Sequence, residues 1–355
     1  MKKRLFLTLV TASLLLMSVM TGCGNAAPAG PADINATTKP ATSSEGTVYK
    51  VGIVKYVDDA SLDQIEANIM AELDAKGAEL GVTFNYADYT HDGQADATVL
   101  NQIATDLVAD EVDIIIPIAT PAAMIMQAAT EDNNIPVIFS AVSDPVGAGL
   151  VASMDAPGAN ISGTSDAIDT KTIIDLILAA KPEAAKIGLL YDKSQAGSIQ
   201  SIEDAKAYLD SLNIAYVEKT GTNASEVQAA ADSLVAEGVD AVFTPQDNTI
   251  MTAELSIFEK FTEAKILHFT GADSFALNGA FMGYGCNYAD LGKQTADMAV
   301  AVLTGDDIST MPVGVLSQGI ITINTQTADA CGIDASIYEG QGSEVVTVET
   351  AESFN

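Results

Sequence analysis

The stretch Ile135–Pro145, with the sequence IPVIFSAVSDP, decides the fold. Its first part, Ile135–Val142, is mostly apolar and rich in residues that favour β-strands, and Ser143, Asp144 and Pro145 end it. A short apolar run bounded by turn residues is typical of a strand buried on both faces, as in a parallel sheet. Ligands of open α/β sheets bind at the carboxyl ends of the strands. We therefore expect the polar residues that end this run to face a cleft.

Three further segments share this design of an apolar run that ends in Thr, Ser, Asp or Asn. They are DIIIPIATP at Asp113–Pro121, DAVFTPQDN at Asp240–Asn248 and AKILHFTGADS at Ala264–Ser274. Because parallel strands place their carboxyl ends at one edge of a sheet, the four polar tips predict one polar cleft.

Strand and helix patterns alternate along the chain, and the order occurs twice. Strand Lys50–Tyr56 (KVGIVKY) and helix Leu62–Leu80 open the first series, and strand Lys186–Tyr191 (KIGLLY) opens the second. Strands separated by helices imply right-handed βαβ units and a parallel sheet. The pattern predicts an α/β protein with two doubly wound parallel-sheet lobes, joined by a hinge that the chain crosses several times.

The same pattern predicts where each lobe begins and ends. Lobe one is expected to comprise residues 48–163 plus about 286–312, and lobe two residues 164–285 plus about 313–340. Residues 341–355 are expected to form a tail. Several crossings between the lobes would make a hinge that permits rigid-body closure.

The first 22 residues have the pattern of an export signal. Three basic residues at positions 2–4 precede the apolar run Leu5–Met20, which is short for a membrane-spanning helix. The sequence Met20–Cys23 is similar to a bacterial lipobox, which implies cleavage after residue 22 and a lipid anchor on Cys23. The alternative is an ordinary secretory signal with an incidental cysteine. Residues 23–47, rich in Ala, Pro, Ser, Thr and Gly, predict a disordered tether.

The charge balance limits the partners of this chain. It has 16 basic and 48 acidic residues and a formal net charge of −32. The field of such a chain repels nucleic acid and anionic lipid surfaces, so we expect no nucleic-acid partner. Hydrophobic residues make up 48% of the sequence, which is ordinary for a folded protein.

The cysteines and histidines do not predict a metal site. His91 and His268 stand far apart and lack zinc-type spacing to Cys286 or Cys331. The two cysteines could pair outside the cytosol, although free thiols are the favoured interpretation. No metal and no cofactor is expected.

Five segments, in this order, resemble substrate-binding lipoproteins of bacterial ABC importers, specifically the tryptophan/tyrosine-type family. The segments are ATPAA (Ala119–Ala123), VIFSAVSDPVGAGLV (Val137–Val151), NISGTSD (Asn160–Asp166), TPQDN (Thr244–Asn248) and DLGKQTADMAVAVLTG (Asp290–Gly305). The resemblance spans roughly Lys50–Ile333. It implies the type I periplasmic-binding-protein fold and a lipid-anchored, extracytoplasmic binder that delivers a small molecule to a membrane permease.

The resemblance also implies a ligand class, because family members with known ligands favour aromatic amino acids. The loops Val57–Ser61 and Asp192–Ala196 depart from the family pattern, and both are expected to face the cleft. The identity of the ligand therefore stays open at this point.

An amino acid needs hydrogen-bond donors for its carboxylate. Backbone N–H groups at a helix N-terminus favour an anion. Thr120, before Pro121, and Ser198 are predicted to begin helices at the cleft and to offer such sites. The alternative for both residues is a plain helix cap.

The ammonium group of an amino acid needs an anion, and three carboxylates stand at strand tips. Asp144 follows a strand of lobe one, and Asp247 and Asp273 follow strands of lobe two. A carboxylate in a partly closed cleft makes a short charge-assisted bond to an amine. Asp247 is the first choice, with Asn248 beside it. Helix capping is the alternative for Asp247, and turn formation is the alternative for Asp144.

Two further residues complete the predicted ligand site. Ser140 lies at a strand end, where it could contact the ligand or form a buried hydrogen bond to the backbone. Tyr56, at the end of the first strand, could stack on a planar ligand or pack between strand and helix.

With these residues, the resemblance implies a monomeric substrate-binding lipoprotein that captures an aromatic or related amino acid. A ligand-sensing receptor module of the same fold, or a binder of a nucleoside or sugar, is the alternative. An exported enzyme is disfavoured because the sequence lacks a Gly-x-Ser-x-Gly, Walker or dinucleotide motif.

Overall fold

The computed structural model describes residues 46–316, 319–340 and 343–351. The predicted signal peptide, the lipidation site at Cys23 and nearly all of the predicted tether lie outside the described residues. Two seven-stranded sheets with helices on their faces form the described part.

The first sheet belongs to lobe one and is parallel throughout. Its strands are β1 Val48–Lys55, β2 Thr83–Asn85, β3 Thr90–Asp92, β4 Ile114–Ile118, β5 Val137–Phe139, β6 Ile161–Ser165 and β12 Gly314–Val315. Their order is β12-β6-β5-β4-β1-β2, and β3 also pairs with β1. All five residues of β4 are buried, as expected for an apolar strand that is covered on both faces.

Four helices cover the first sheet, and the longest shows why the sequence forms them. They are α1 Ala60–Leu80, α2 Ala97–Ala109, α3 Thr120–Thr130 and α10 Tyr288–Leu303. In α1, Ile65, Ile69 and Leu73 are fully buried at four-residue spacing. Asp59 caps its first turn, and Gly81 ends it in the left-handed conformation that glycine adopts readily.

The second sheet belongs to lobe two. Its strands are β7 Lys186–Tyr191, β8 Ala215–Thr220, β9 Ala241–Thr244, β10 Leu267–Thr270, β11 Met282–Gly285, β13 Ile320–Asn324 and β14 Glu344–Val348. Their order is β14-β13-β11-β10-β9-β7-β8, and β13 runs antiparallel to β11. The helices that follow or cover these strands are α4 Thr170–Ala180, α5 Ala196–Leu212, α6 Ala224–Glu237, α7 Asn248–Ala253, α8 Phe258–Glu263, α9 Asp273–Leu277 and α11 Thr325–Cys331.

The predicted fold class is confirmed, with two α/β lobes built mainly from parallel strands. The chain passes from one sheet to the other between β6 and β7, between β11 and α10, and between β12 and β13. These three passages form the predicted multiple-crossing hinge.

Three predicted boundaries need correction. Strand β6 continues the first sheet to Ser165, and β12 returns to it at residues 314–315, so lobe one extends past residues 163 and 312. Gly163 allows this pairing because a Cβ atom there would lie 2.1 Å from the carbonyl oxygen of Phe139. The predicted tail contains β14, whose sequence EVVTV is rich in β-branched residues and pairs with β13.

The stretch Ile135–Pro145 forms a shorter strand than its apolar run predicts. Strand β5 covers only Val137–Phe139, and Ser140 makes an isolated bridge to Ile118. Ala141 then adopts a positive φ of 53°. The chain leaves the sheet at this residue, and Ser143 reaches the cleft that follows.

Candidate ligand-binding site

The carboxyl ends of the two sheets face each other and enclose a cleft. Its empty volume is about 460 Å³, part of it open to solvent, and residues of both lobes line it. The predicted cleft at the polar strand tips is therefore present.

The rim of the cleft in lobe one follows the order of the strands. Asp59 follows β1, Thr120 follows β4, Ser143 follows β5 and Asp166 follows β6, and all four line the cleft. In the order β6-β5-β4-β1, Asp59 and Asp166 follow the two outer strands, and neighbouring strands lie about 4.8 Å apart. The two carboxylates therefore belong to opposite ends of this rim.

Two alanines at the rim have strained backbones. Ala119 has φ 79° and ψ 153°, and Ala141 has φ 53°, and both line the cleft. Residues other than glycine rarely adopt positive φ, and such strain often marks ligand sites. The strain lies where β4 and β5 give way to the polar residues, so it directs the chain into the cleft.

Contacts between the lobes show that the cleft is closed. Ser61 donates to the Asp273 carboxylate across the cleft, and Gln64 Nε2 lies 3.4 Å from the second oxygen of that carboxylate. Gln246 Nε2 of lobe two donates to the carbonyl oxygen of Asp166 in lobe one. These bonds join both ends of the cleft.

Three buried carboxylates line the cleft, from Asp59, Asp166 and Asp247, with exposed fractions of 7%, 5% and 1%. Burial raises the pKa of each to about 6. In the part of the chain that the structure describes, no Lys, Arg or His lines the cleft. The cleft therefore favours a ligand that brings a positive group.

Asp247 lines the cleft as predicted, but the fold already uses both of its oxygens. Oδ1 accepts from the backbone N–H of Thr249 at 3.1 Å and of Ile250 at 3.0 Å, which caps α7. Oδ2 accepts from Asp192 N at 2.7 Å and from Ser198 Oγ at 2.8 Å. Four donors fill the acceptor capacity of a carboxylate. Asp247 therefore caps helix α7, which is the alternative to ligand binding considered for it.

Asn248 and Thr120 both line the cleft, and Ser198 does not. Thr120 is the first residue of α3, whose cap position is Ala119, so the predicted hydroxyl cap is wrong. Ser198 is also no cap, because α5 begins at Ala196 and Ser198 lies fully buried inside its first turn. Its contribution is the hydrogen bond to Asp247.

Ser140 and Asp144 lie away from the cleft lining. Ser140 is fully buried, with its Oγ 2.8 Å from Thr295 Oγ1 and 3.3 Å from Thr164 Oγ1. Asp144 Oδ1 accepts from Gly147 N at 2.8 Å within its own loop. Ser140 therefore forms buried hydrogen bonds and Asp144 forms a turn, as the alternatives to ligand contact had it. The partners of Ser140 are hydroxyl groups, however, and not the predicted backbone.

Tyr56 and Asp273 also lie outside the lining residues. Tyr56 is half-buried and packs against the apolar core of lobe one, which is the alternative considered for it. Asp273 is half-buried and holds Ser61 and Gln64 from the other lobe. Burial raises its pKa to about 6. Asp273 therefore belongs to the contact that closes the cleft.

Asp59, Asp166 and Gln246 line the cleft and were not among the predicted site residues. Asp166 is the last residue of the segment NISGTSD, and Gln246 lies within the segment TPQDN. Both follow predicted strands, so their positions at strand tips could have identified them. Asp59 lies in the loop Val57–Ser61, which departs from the family pattern.

The structure shows Cys286 and Cys331 as free thiols, the first buried and the second half-buried. Among the described residues, no group of three or more His, Cys, Asp or Glu side chains could hold a metal ion. The histidine His268 lies in the core of lobe two, with its Nδ1 3.0 Å from Glu254.

Comparison with known families agrees with this architecture. Residues 50–338 match the model of the family described as ABC transporter substrate binding protein. The chain therefore belongs to that family, whose members bind solutes and are not enzymes. Such proteins work outside the cytoplasm. In the described residues, no helix has the length and apolar character needed to cross a membrane.

Three relatives are informative. The chain is 32% identical over 329 residues to a tyrosine-binding protein of Clostridioides difficile (strain R20291), covering 93% of this chain and 92% of that protein. An ABC domain from Streptococcus pneumoniae in complex with L-Trp has a TM-score of 0.77 at 29% identity, covering 84% and 100% of the two chains.

The third relative is a substrate-binding protein with adhesive properties from Clostridium difficile, in a ligand-free, open structure. Its TM-score is 0.66 at 30% identity, covering 85% of this chain and 100% of that chain. The present structure is therefore more similar to the L-Trp complex than to this open form.

Proposed function

We propose that this protein binds an aromatic amino acid between its lobes and delivers it to the membrane permease of an ABC importer. The relatives described as tyrosine-binding and as an L-Trp complex support the ligand class. The observation that carries the proposal is a closed cleft that contains carboxylates, a buried acceptor without a partner at Gln246 and an apolar section.

Asp166 and Gln246 are proposed to hold the ammonium group. Asp166 Oδ1 accepts from Ser143 Oγ at 3.0 Å, and its other oxygen takes no part in that bond. Gln246 donates its Nε2 to the Asp166 carbonyl, so its Oε1 is the remaining acceptor. This Oε1 atom is buried and has no hydrogen-bond partner within the described residues. An unpaired buried acceptor is unfavourable, and an ammonium N–H would satisfy it.

The N-termini of α3 and α5 are proposed to hold the carboxylate. They meet at the cleft, where a Cβ atom on Gly197 would lie 3.2 Å from Thr120 Oγ1. Backbone N–H groups at a helix N-terminus favour an anion. The two helices come from different lobes, so a carboxylate between them would stabilise the closed form.

The side chain of the ligand is proposed to lie against an apolar section of the cleft. Leu62, Met251, Phe275 and Tyr288 line this section, and each is less than 10% exposed. Aromatic rings and a methionine thioether pack well on a planar ligand.

A binding panel tests this function. Melting temperatures of the purified chain are measured with amino acids, nucleosides and sugars, and positive results are confirmed by calorimetry. We expect an aromatic amino acid to give the largest increase in melting temperature. An increase with only nucleosides or only sugars would contradict the amino-acid assignment.

We also propose that the mature chain is a monomeric lipoprotein anchored through Cys23 after removal of residues 1–22. The basic, apolar and Met20–Cys23 segments support the signal peptide and the lipid anchor. Expression of Cys23→Ala with labelled palmitate tests it. We expect the label to be lost and the protein to leave the membrane fraction, and retention of the label would refute the assignment.

A further inference from the structure

The end of the cleft opposite Asp166 contains another buried carboxylate, Asp59. Its Oδ1 accepts from Ser61 N at 2.9 Å and from Leu62 N at 3.2 Å, which caps α1. Its Oδ2 takes no part in this cap. Asp59 is 7% exposed and lines the cleft. Ser274 also hydrogen-bonds the Asp59 side chain, so three protein donors leave part of the acceptor capacity of the carboxylate for a ligand.

Apolar side chains surround this end of the cleft. Leu62 lies in the first turn of α1, directly after the Asp59 cap. Met251 lines both the cleft and a neighbouring recess that also contains Asp59. Phe275 lies in α9, whose backbone donates to Ser61 through Ser274 N at 3.2 Å. An aromatic ring in the apolar section would therefore have Asp59 close to its edge.

No basic side chain in the described lining compensates the charge of Asp59. The basic residue of the preceding strand, Lys55, is held instead by Asp58 at 3.2 Å and Glu66 at 3.6 Å, and also by Asp63. Asp273 adds a negative group near Asp59 when the lobes close. A hydrogen-bond donor on the ligand would reduce this unfavourable burial.

We propose that Asp59 determines specificity by accepting a hydrogen bond from the ring N–H or O–H of the bound aromatic amino acid. The site would then take tyrosine or tryptophan and discriminate against phenylalanine. This inference rests on the proposed function, because the ammonium group must occupy the Asp166 end. Tyrosine and tryptophan carry a donor at each end of the molecule, which suits two acceptor groups at opposite ends of the rim of lobe one.

The expected discrimination is large. A site built to hydrogen-bond a ligand N–H or O–H rejects an analogue without that group, because the buried acceptor then stays unpaired. We expect phenylalanine to bind at least about tenfold more weakly than the better of tyrosine and tryptophan.

The test uses calorimetric affinities of L-tyrosine, L-tryptophan and L-phenylalanine for wild type and Asp59→Asn. Asparagine caps a helix as well as aspartate, so α1 should remain intact. The substitution turns one carboxylate oxygen into an N–H donor. We expect at least about a tenfold loss for the better ligand if it is tryptophan, whose ring N–H can only donate. Tyrosine should lose less, since its oxygen can accept, and phenylalanine should change little.

Asp96→Asn is the matched control. Asp96 caps α2 through the N–H groups of Thr98 and Val99 and lies outside the cleft lining. This variant should leave all three affinities unchanged. Equal wild-type affinities for the three amino acids, or an equal loss for all three in Asp59→Asn, would overturn the specificity role and leave the proposed function standing. No binding of any of the three to wild type would overturn both.

Discussion

Asp166 and Asp247 are two carboxylates of one cleft that differ in how many hydrogen bonds the fold donates to them. Both follow a strand, both line the cleft, both are buried, and burial raises the pKa of each to about 6. Asp247 accepts four hydrogen bonds from its own lobe. The side chain of Asp166 accepts fewer, chiefly from Ser143 Oγ at 3.0 Å, with smaller contributions from its own backbone N–H and from Gln246.

This difference distinguishes a carboxylate that can bind a ligand from one that serves the fold. Burial and a raised pKa occur at both residues, so neither property identifies the ligand partner. The number of acceptor positions that the fold occupies does differ between them. We therefore assign the ammonium to Asp166, although the sequence made Asp247 the first choice.

The largest expected effect is at Asp166. Asp166→Asn removes the negative charge and can present an N–H group to the ammonium. We expect the affinity for the best-binding aromatic amino acid to fall at least about a hundredfold, which is roughly 2.7 kcal/mol. Calorimetry measures the affinity, and the melting temperature of the free protein should change little or rise.

Asp144→Asn is the control for this substitution. Asp144 follows a strand of the same sheet but bonds within its own loop and lies outside the lining residues. Its variant should bind as wild type does. If Asp166→Asn binds the amino acid with unchanged affinity, the ammonium lies elsewhere. The number of occupied acceptor positions then does not identify the carboxylate that binds the ligand.

Asp247→Asn should act on stability more than on binding. The amide can still cap α7 through its oxygen, but its nitrogen then faces Asp192 N–H, which is also a donor. Two opposed buried donors cost about 2 kcal/mol of the free energy of unfolding. Urea denaturation measures this loss, and the ligand affinity should fall less than in Asp166→Asn. The opposite ranking of the two variants would assign the ammonium to Asp247.

The raised pKa values that Asp166 and Asp247 share predict a pH dependence. A carboxyl group whose pKa is about 6 when folded and 3.8 when unfolded stabilises the folded form below about pH 4. This contribution is lost as the pH rises through 6. Lowering the pH from 7 to 5 should therefore raise the free energy of unfolding by about 1 kcal/mol for each group.

Denaturation of wild type and Asp166→Asn at pH 5 and pH 7 checks this sign. The variant lacks one of the titrating groups, so its stability should change less between the two pH values. Exposed carboxylates with a lowered pKa, such as Asp96 and Glu226, titrate mainly below this window and contribute little. A stability that increases from pH 5 to pH 7 would contradict the prediction.

The contrast between Asp166 and Asp247 also shows which features of the site can be predicted from the sequence. Apolar runs with polar tips predicted the sheets, the two lobes and the cleft, because burial requires that pattern. The occupancy of Asp247 depends on Asp192 and Ser198, which lie 55 and 49 residues away along the chain. Only the folded geometry shows that these donors reach Asp247.

Ser140 shows the same limit in lobe one. A serine at a strand end predicts a polar contact, and the sequence does not identify the partner. The hydroxyl groups nearest to it are those of Thr164 and Thr295, which lie 24 and 155 residues away. The strained φ angles of Ala119 and Ala141 gave no sequence signal, because alanine is not a residue type that favours positive φ.

The smallest expected effect concerns Gly197, where lobe two meets Thr120 and Ser143 of lobe one. A Cβ atom there would lie 3.2 Å from Thr120 Oγ1 and 3.4 Å from Ser143 Oγ, so the lobes would have to separate slightly. Gly197→Ala should weaken aromatic amino acid binding by about threefold to tenfold, or roughly 1 kcal/mol. Alanine favours a helix over glycine, so the ligand-free protein should be as stable as wild type or more stable. Loss of stability without loss of affinity would show that Gly197 supports helix α5, and neither the closed contact nor the carboxylate site.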